Sequence, residues 1–363
     1  MNSPFPYDRI PSTKEFFGRD SELKLLSQTV QYSNNLLIHS KRRMGKSSLI
    51  SYFLEQNRDK YLCIYVDIFD IASKEDFVLS LLKSFSNARK GNLKSVIKSL
   101  TSLFKRVRVE PSINPETMEY SIKPIVTTLS FEQMMEDFFG SLEKLSQTNQ
   151  IILAIDEFQQ IATIKDVKLA ALLRKYIQHR ENISYIFSGS KRHLLTSLFE
   201  YKAPLYELAT HFELQPLKNE DFFKYATGYL PIEKDVLAYI YKKSSGETYM
   251  IQYILHLLFI DKNDKCVTLE QVDNSIREMI NAKDPSYKLI FDSLSNNQKT
   301  ALKIVGKYKN GFFATNILNE FNIKKQSLQS SINTLFKKEL IDKEADKYFI
   351  PDRTFELWIN RFV

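Results

Sequence analysis

The chain has 363 residues, of which 43% are hydrophobic and 26% are charged, as in an ordinary globular protein. Its formal net charge of +8 permits contact with nucleic acid or an acidic partner but does not require either. The two cysteines, Cys63 and Cys266, are too few and too far apart for a disulfide framework or a zinc site. No apolar run is typical of a signal peptide or a membrane span, so the sequence predicts a soluble cytoplasmic protein.

Apolar strands and helical patterns alternate through about the first two hundred residues. Short apolar runs at 35–40, 60–70, 150–161 and 183–190 predict buried strands, with amphipathic helical stretches between them. Strands that are apolar on both faces and separated by helices are typical of an α/β fold with a parallel sheet covered on both faces. Two alternating stretches around "NPETME" also predict a β-hairpin.

The pattern changes after residue 217. Residues 218–285 show several short helical patterns. From about residue 295, three helical patterns precede a wing-like pair of short strands and a last helix. We therefore expect three domains: an α/β core at 1–217, a small helical domain at 218–290 and a winged helix at 291–363.

A candidate phosphate-binding loop lies between a predicted buried strand and a predicted helix. It fits the pattern G-x-x-x-x-G-K-[ST] except at its first position, which is Ser40. Such a loop points backbone N–H groups at phosphates, its Lys reaches the β- and γ-phosphates, and its hydroxyl binds Mg²⁺. A chance match is the alternative, which the flanking strand and helix disfavour. The candidate nucleotide-binding residues are Ser40, Lys41, Arg42, Arg43, Met44, Gly45, Lys46, Ser47 and Ser48.

Two acids end the apolar run "IILAIDEF". In phosphate-loop ATPases the first acid holds Mg²⁺ and the second polarises the attacking water, which suggests these roles for Asp156 and Glu157. A pair of solvated acids at a strand end is the alternative. The next predicted strand ends in "IFSGS", where Ser190 is a candidate sensor of the γ-phosphate and Arg192 a weaker one. An ordinary strand-to-loop turn would also explain those residues.

Seven segments occur in an order that resembles a known family. They are FFGRDSEL (16–23), SKRRMGKSSLI (40–50), IYVDIFD (64–70), LAIDEFQQI (153–161), YIFSGSKRHLLTSLF (185–199), APLYELATHFELQPL (203–217) and SSGETYMIQYILHLLF (244–259). Together they resemble the archaeal and bacterial ATPases of the STAND class of P-loop NTPases, relatives of AAA+ ATPases and of archaeal origin-recognition proteins. The C-terminal part resembles the winged helix that such proteins carry.

The resemblance implies an ATPase core, a helical lid and a winged helix, with ATP or ADP and Mg²⁺ as ligands. It implies that Lys46 binds phosphate, that Ser47 and Asp156 hold Mg²⁺, and that Glu157 is the catalytic acid. It also places one further segment beside the nucleotide base. That segment is Phe17, Gly18 and Arg19.

Two positions depart from the family pattern. Ser40 replaces the first loop glycine, and "GET" at 246–248 replaces the usual G-x-P of the lid. No lid sensor is therefore assigned. Arg174 and Arg180 are the candidate arginine fingers.

The third helix of a winged helix usually enters the major groove of DNA. Here it is predicted at 324–339, and the candidates for contact with duplex DNA are Lys324, Lys325, Gln326, Gln329 and Ser330. Lys337, Lys338 and Lys347 add positive charge around the wing. Three acids in or beside the wing turn favour a protein contact or packing instead: Asp342, Glu344 and Asp346.

The most favoured function is an ATP-driven switch that binds nucleotide between core and lid and hydrolyses it, slowly or only with a partner, with oligomerisation possible on ATP binding. One alternative is a non-enzymatic, nucleotide-dependent DNA-binding module. Another is a protein-interaction adaptor in a defence or mobile-element locus.

Overall fold

The computed structural model describes residues 3–88, 108–113, 120–125, 130–164, 168–178, 181–261, 265–308, 310–344 and 347–362. Two units emerge from its internal contacts. The first, here called the sheet unit, comprises Ser12–Lys41 and Gly45–Gln215. The second, the helical unit, comprises Met1–Pro11, Arg42–Met44 and Pro216–Val363. The three-domain division at residues 217 and 290 stays a prediction.

The elements of the sheet unit follow the alternation that the sequence predicts. Its strands are β1 (Leu36–His39), β2 (Leu62–Asp67), β3 (Arg108–Ile113), β4 (Tyr120–Ile125), β5 (Ile151–Asp156), β6 (Ile183–Gly189) and β7 (Thr210–Glu213). Its helices are α1 (Asp20–Gln31), α2 (Lys46–Asn57), α3 (Lys74–Ala88), α4 (Phe131–Ser146), α5 (Lys168–Ile177) and α6 (Arg192–Phe199). A 3₁₀ helix, Phe158–Thr163, follows β5.

Five of these strands form one parallel sheet in the order β2-β5-β6-β1-β7. Every residue of β5 and β6 is buried. Alternate residues of β5 face two separate cores: Leu153 packs with α3 and α4, whereas Ala154 packs with α1 and α2. Burial on both faces explains why these strands are continuous apolar runs in the sequence. The predicted α/β fold is confirmed.

The order of the strands positions the candidate site. β6 lies between β1, which precedes the phosphate loop, and β5, which ends in Asp156. In parallel strands the carboxyl ends meet at one edge of the sheet. The ends of β1, β5 and β6 therefore bring the loop, the acid pair and the "SGS" segment together.

The sheet unit also contains a hairpin, which the sequence predicts, and an edge strand, which it does not. The predicted hairpin is present, since β3 pairs with β4 in antiparallel register, and its "NPETME" turn lies outside the described residues. The edge strand β7 was not predicted. Its side chains are mostly exposed, so it lacks the apolar run that identifies the central strands.

The helical unit begins with α7 (Asn219–Ala226), α8 (Lys234–Ser244), α9 (Thr248–Ile260) and α10 (Leu269–Asp292). It continues with the predicted winged helix, made of α11 (Asn296–Lys307), α12 (Thr315–Glu320), α13 (Lys325–Lys337), the antiparallel pair β8 (Asp342–Glu344) and β9 (Lys347–Phe349), and α14 (Arg353–Ile359). Within the described ranges, the chain contains no helix with the length and apolar character that crossing a membrane requires.

The helix α10 is longer than its sequence pattern predicts. The short helical patterns are predicted only as far as residue 285, whereas the helix continues through Pro285 to Asp292. Proline inside a helix costs about 3 kcal/mol. Tertiary packing offsets that cost, because Tyr287 is buried with its ring 4.9 Å from Phe355 and 5.9 Å from Trp358.

Candidate nucleotide-binding site

The phosphate loop has the backbone that its sequence predicts. Gly45 has φ of 89°, and an added Cβ would meet no atom within 4 Å, so glycine is required by the backbone conformation and not by lack of space. The next residue, Lys46, begins α2. Ser40 does not have a positive φ, which is the condition under which serine can replace the first glycine.

The ammonium group of Lys46 is buried against the loop. Its Nζ donates to the backbone oxygens of Ser40 at 3.3 Å and Lys41 at 3.1 Å, and to Ser40 Oγ at 3.2 Å. The side chain of Lys46 is thereby held against the start of the loop. Ser40 supplies an acceptor that glycine lacks, a contact that the sequence pattern did not predict.

Asp156 is the point on which the site converges. This last residue of β5 is 2% exposed. Its Oδ1 accepts hydrogen bonds from Ser188 Oγ and from the backbone N–H of Glu157, at 2.9 Å in the latter case. Its Oδ2 accepts from Ser47 Oγ and, at 2.7 Å, from Tyr65 Oη. The carboxylate therefore has a fixed orientation beside the loop hydroxyl.

The oxygen atoms assembled here suit Mg²⁺. This ion is commonly bound by one or two carboxylates together with substrate phosphates and water. Ser47 and Asp156, predicted separately from distant segments, lie within hydrogen-bonding distance of each other through Oγ and Oδ2. The residues present therefore fit the magnesium site that the family implies.

Sequence reasoning missed two partners of Asp156, Tyr65 and Ser188. Burial, followed by the charge of Asp156, raises the pKa of the Tyr65 phenol, which therefore stays a hydrogen-bond donor. Ser188 follows Phe187, which pairs in register with Ile155, so Ser188 and Asp156 occupy equivalent positions on adjacent strands. A polar residue inside the apolar run "YIFSGS" was the available signal.

Glu157 lies just beyond the strand, in a left-handed backbone conformation with φ of 55°. Its carboxylate accepts hydrogen bonds from Gln159 Nε2 and, at 3.4 Å, from Ser190 Oγ. Asp156 and Glu157 thus have separate partners. The structure brings the predicted sensor Ser190 to the second acid.

The segment that the resemblance places near the base packs beside the loop helix. Phe16 stacks on Tyr52 of α2 with ring centroids 3.9 Å apart. Arg19 is buried and donates to Glu22 Oε1 at 2.6 Å and to the backbone oxygen of Gln215 at 2.8 Å. Gly18, with φ of 69°, makes the turn before α1, and Phe17 is half-buried next to it. Arg19 therefore orders this segment through bonds within the sheet unit.

The tip of the loop, Arg42–Met44, belongs to the helical unit by its contacts. Arg42 pairs with Glu339 at 3.0 Å. Arg43 pairs with Asp352 at 2.8 Å and lies 3.7 Å from Glu247. Burial raises the pKa of Glu247 to about 7, and the nearby Arg43 only partly offsets this rise. For Arg43, burial is outweighed by Asp352 and Glu247, which raise its pKa.

The candidate arginine fingers are not brought to the acids by any described contact. Arg174 donates to the backbone oxygens of Pro204 at 3.1 Å and Tyr206 at 2.8 Å. Arg180 lies outside the described residues. In the winged helix, all five candidate DNA-contacting side chains are exposed: Lys324, Lys325, Gln326, Gln329 and Ser330.

A parallel sheet with a phosphate loop after one strand, an acid pair after another and a third strand between them is the arrangement of a P-loop NTPase fold. The chain matches, over residues 16–254, the profile of a family described as an ATPase domain predominantly from Archaea. It belongs to that family. Residues 285–361 match a probable winged helix domain.

Individual proteins are similar to the chain in sequence or in fold. The chain is 24% identical over 214 residues to an uncharacterised ATP-binding protein of Pyrococcus horikoshii, a match that spans 56% of this chain and 64% of that relative's length. A Walker-type ATPase of Pyrococcus abyssi has a similar fold, with TM-score 0.65, 17% identity, and coverage of 98% of this chain and 99% of the other. The Orc1 protein of Aeropyrum pernix, solved in complex with DNA, gives TM-score 0.54 at 11% identity, covering 98% and 94%.

Proposed function

We propose that the protein binds ATP with Mg²⁺ at the phosphate loop and hydrolyses it as a slow molecular switch of the STAND and AAA+ type. The observation that carries this proposal is the convergence of Ser47 on Asp156, with Glu157 held separately beside Ser190. A structural pair of acids would not require a loop hydroxyl on one carboxylate and an independent set of donors on the other.

The roles of the residues follow from their positions. Lys46 binds the β- and γ-phosphates, exchanging loop oxygens for charged phosphate oxygens, and backbone N–H groups of the loop and the start of α2 bind the same anion. Ser47 and Asp156 hold Mg²⁺, which when bound neutralises charge that develops on the phosphates. Glu157 orients the attacking water. Ser190, which donates to Glu157 in the absence of nucleotide, donates to the γ-phosphate when ATP is bound.

Two substitutions test this proposal. Lys46→Ala should abolish ATP binding in a titration with a fluorescent ATP analogue, because it removes the phosphate-binding charge. Glu157→Gln should keep binding within a few-fold and lose nearly all hydrolysis. Lys24→Ala, an exposed lysine on α1, is the matched control and should change neither. Unchanged ATP affinity in Lys46→Ala, or full turnover in Glu157→Gln, would contradict the assignment.

We further propose that the exposed face of α13 contacts duplex DNA. What supports this is that its five predicted contact residues are all accessible, at the helix that usually enters the major groove. The Orc1 protein of Aeropyrum pernix, which has a similar fold, was solved in complex with DNA. A mobility-shift assay with duplex DNA, at low and high salt, tests the proposal. An absence of DNA binding at low salt would leave a protein as the partner.

Switching between two states is tested separately from ATP binding. Hydrolysis that resets a switch requires different states with ATP and with ADP. We expect the size of the protein in solution, measured by light scattering, to differ between ADP and a non-hydrolysable ATP analogue. The same size and the same protease-cleavage pattern in both nucleotides would contradict a switch without contradicting ATP binding.

A further inference from the structure

Gln159 is a fully buried glutamine two residues after Glu157. We propose that it is a positioning residue, which holds the Glu157 carboxylate beside Ser190 so that Glu157 orients the attacking water. The inference rests on the proposed hydrolytic function, since it concerns how one group of that reaction is held.

The contacts form a closed ring of three residues. Gln159 Nε2 donates to Glu157 Oε2, and Gln159 Oε1 accepts the backbone N–H of Ser190 at 3.3 Å. Ser190 Oγ donates to the same Glu157 Oε2 at 3.4 Å. Only one orientation of the amide satisfies both neighbours, because a carboxylate needs a donor and a backbone N–H needs an acceptor. The ring ties the end of β6 to the second acid.

Glu157 needs such support because its own backbone conformation does little to fix the position of its side chain. Its left-handed conformation costs a non-glycine residue about 1 kcal/mol or more, and its side chain is only partly buried. A water-orienting carboxylate must be held within a fraction of an ångström to act well. The Gln159 amide supplies a buried, directional bond to the oxygen that also faces Ser190.

Gly189 gives independent support. Its φ is not positive, so no backbone requirement explains the glycine. An added Cβ would lie 2.2 Å from Gln159 Oε1 and 3.1 Å from Leu195 Cδ1. The space that a side chain would fill at the end of β6 is therefore the space that the Gln159 amide uses. The glycine of "SGS" makes room for this contact between Ser188 and Ser190.

The test separates positioning from a purely structural role. Gln159→Met keeps the length and burial of the side chain and removes the amide. We expect kcat for ATP hydrolysis to fall by about tenfold, the usual size of an effect on a supporting hydrogen bond, with KM and ATP affinity within about twofold. The matched control is Gln160→Met, in the same 3₁₀ helix, whose amide donates to the backbone oxygen of Phe69 at 3.0 Å. It should leave kcat unchanged.

The outcomes distinguish this inference from the proposed function. If the unaltered protein and Gln160→Met both fail to hydrolyse ATP, the proposed function falls and the inference with it. If both hydrolyse ATP and Gln159→Met has the same kcat, only the inference falls. A loss confined to ATP affinity or thermal stability would likewise overturn it, because it would assign Gln159 to packing.

A second pair of variants keeps the test available if Gln159→Met does not fold. Gly189→Ala pushes the amide away while Gln159 stays in place, and we expect a similar fall in kcat. In a Gln159→Ala background, Gly189→Ala should have little further effect, because the group it displaces is gone. Equal effects of Gly189→Ala in both backgrounds would overturn the coupling between these residues.

Discussion

The candidate nucleotide site and the exposed face of α13 arrange polar side chains in opposite ways. In the site, Lys46 is 6% exposed and Asp156 2%, and their hydrogen bonds come from several different elements. On α13 the candidate residues are exposed. Gln329 Nε2 donates to Asn333 Oδ1, and Thr334 Oγ1 donates to the backbone oxygen of Ser330, so both bonds stay within the same helix. The first arrangement fixes side chains in space, whereas the second leaves them free to adapt.

This difference determines how far the function of each region can be inferred from its structure. A buried polar group must be satisfied, so its neighbours restrict the ligands and the chemistry that fit it. An exposed glutamine or lysine is satisfied by water and is compatible with DNA, with a protein or with neither. We therefore expect substitutions in the site to have large effects that depend on the exact atoms removed, and substitutions on α13 to have small additive effects.

The largest effect is expected for Asp156→Asn. The substitution keeps the shape of the side chain but removes the charge and places an amide N–H₂ among the donors from Tyr65, Ser47 and Ser188. Hydrolysis should fall at least about 100-fold. Steady-state turnover measured over a range of Mg²⁺ concentrations checks this. Activity above a tenth of that of the unaltered protein would show that the buried charge of Asp156 is not needed for hydrolysis.

The sequence predicts the residues of this site better than their mutual contacts. Lys46, Ser47, Asp156 and Glu157 are recognisable because loop and strand-end chemistry occurs at fixed offsets from apolar runs. Tyr65 and Ser188 are not, because their roles depend on the order and register of strands that are distant in the chain. A strand order cannot be inferred from apolar periodicity alone, and neither can the edge strand β7, which lacks that periodicity.

Glu247, a buried carboxylate of the helical unit, tests whether substitution of a buried polar group also has a large effect outside the candidate nucleotide site. Burial raises the pKa of Glu247 to about 7 in the folded protein, above the value of an exposed glutamate. The folded state therefore holds this proton more tightly than the unfolded state, and stability should fall as pH rises from about 4.5 to 7. The expected loss is up to about 3 kcal/mol.

Glu247→Gln should remove that pH dependence. Compared with the unaltered protein, the variant should gain more unfolding free energy at pH 8 than at pH 5 in chemical denaturation. Glu278→Gln, at an exposed position of α10, is the control and should show no such pattern. A difference between Glu247→Gln and the unaltered protein that is the same at both pH values would contradict this explanation.

Tyr65→Phe should have an intermediate effect. It removes one of the donors on Asp156 Oδ2 and leaves Ser47 in place, so the carboxylate is still oriented but less firmly. We expect about a tenfold higher Mg²⁺ requirement and a smaller fall in maximal turnover. Tyr61→Phe, on the segment before β2, is the control. A Mg²⁺ dependence identical to that of the unaltered protein would show that Tyr65 is not needed to orient Asp156.

At the N-terminal end of α13, the paired substitution of the N-cap Lys324→Ala with Lys325→Ala should weaken DNA binding only a few-fold at moderate salt. Each lysine that contacts a phosphate contributes about one unit to the slope of log affinity against log salt, so the slope should fall by about two. The control pair, Lys234→Ala with Lys242→Ala on α8, should leave the slope unchanged. Complete loss of DNA binding would show that these exposed lysines, like the buried residues of the candidate site, have large individual effects.

The smallest effect is expected for Ser40→Gly, although Ser40 is a buried residue of the site. Its hydroxyl is one of three oxygens around Lys46 Nζ, and the backbone oxygens at positions 40 and 41 remain after the substitution. Phosphate oxygens replace such acceptors when nucleotide binds, so ATP affinity should stay within about threefold in an equilibrium titration. A tenfold loss would show that the Ser40 hydroxyl contacts nucleotide or shapes the loop. If affinity is kept, burial alone does not determine the effect of a substitution. The loss of a buried hydrogen-bond partner then has a large effect only where few other groups can replace that partner.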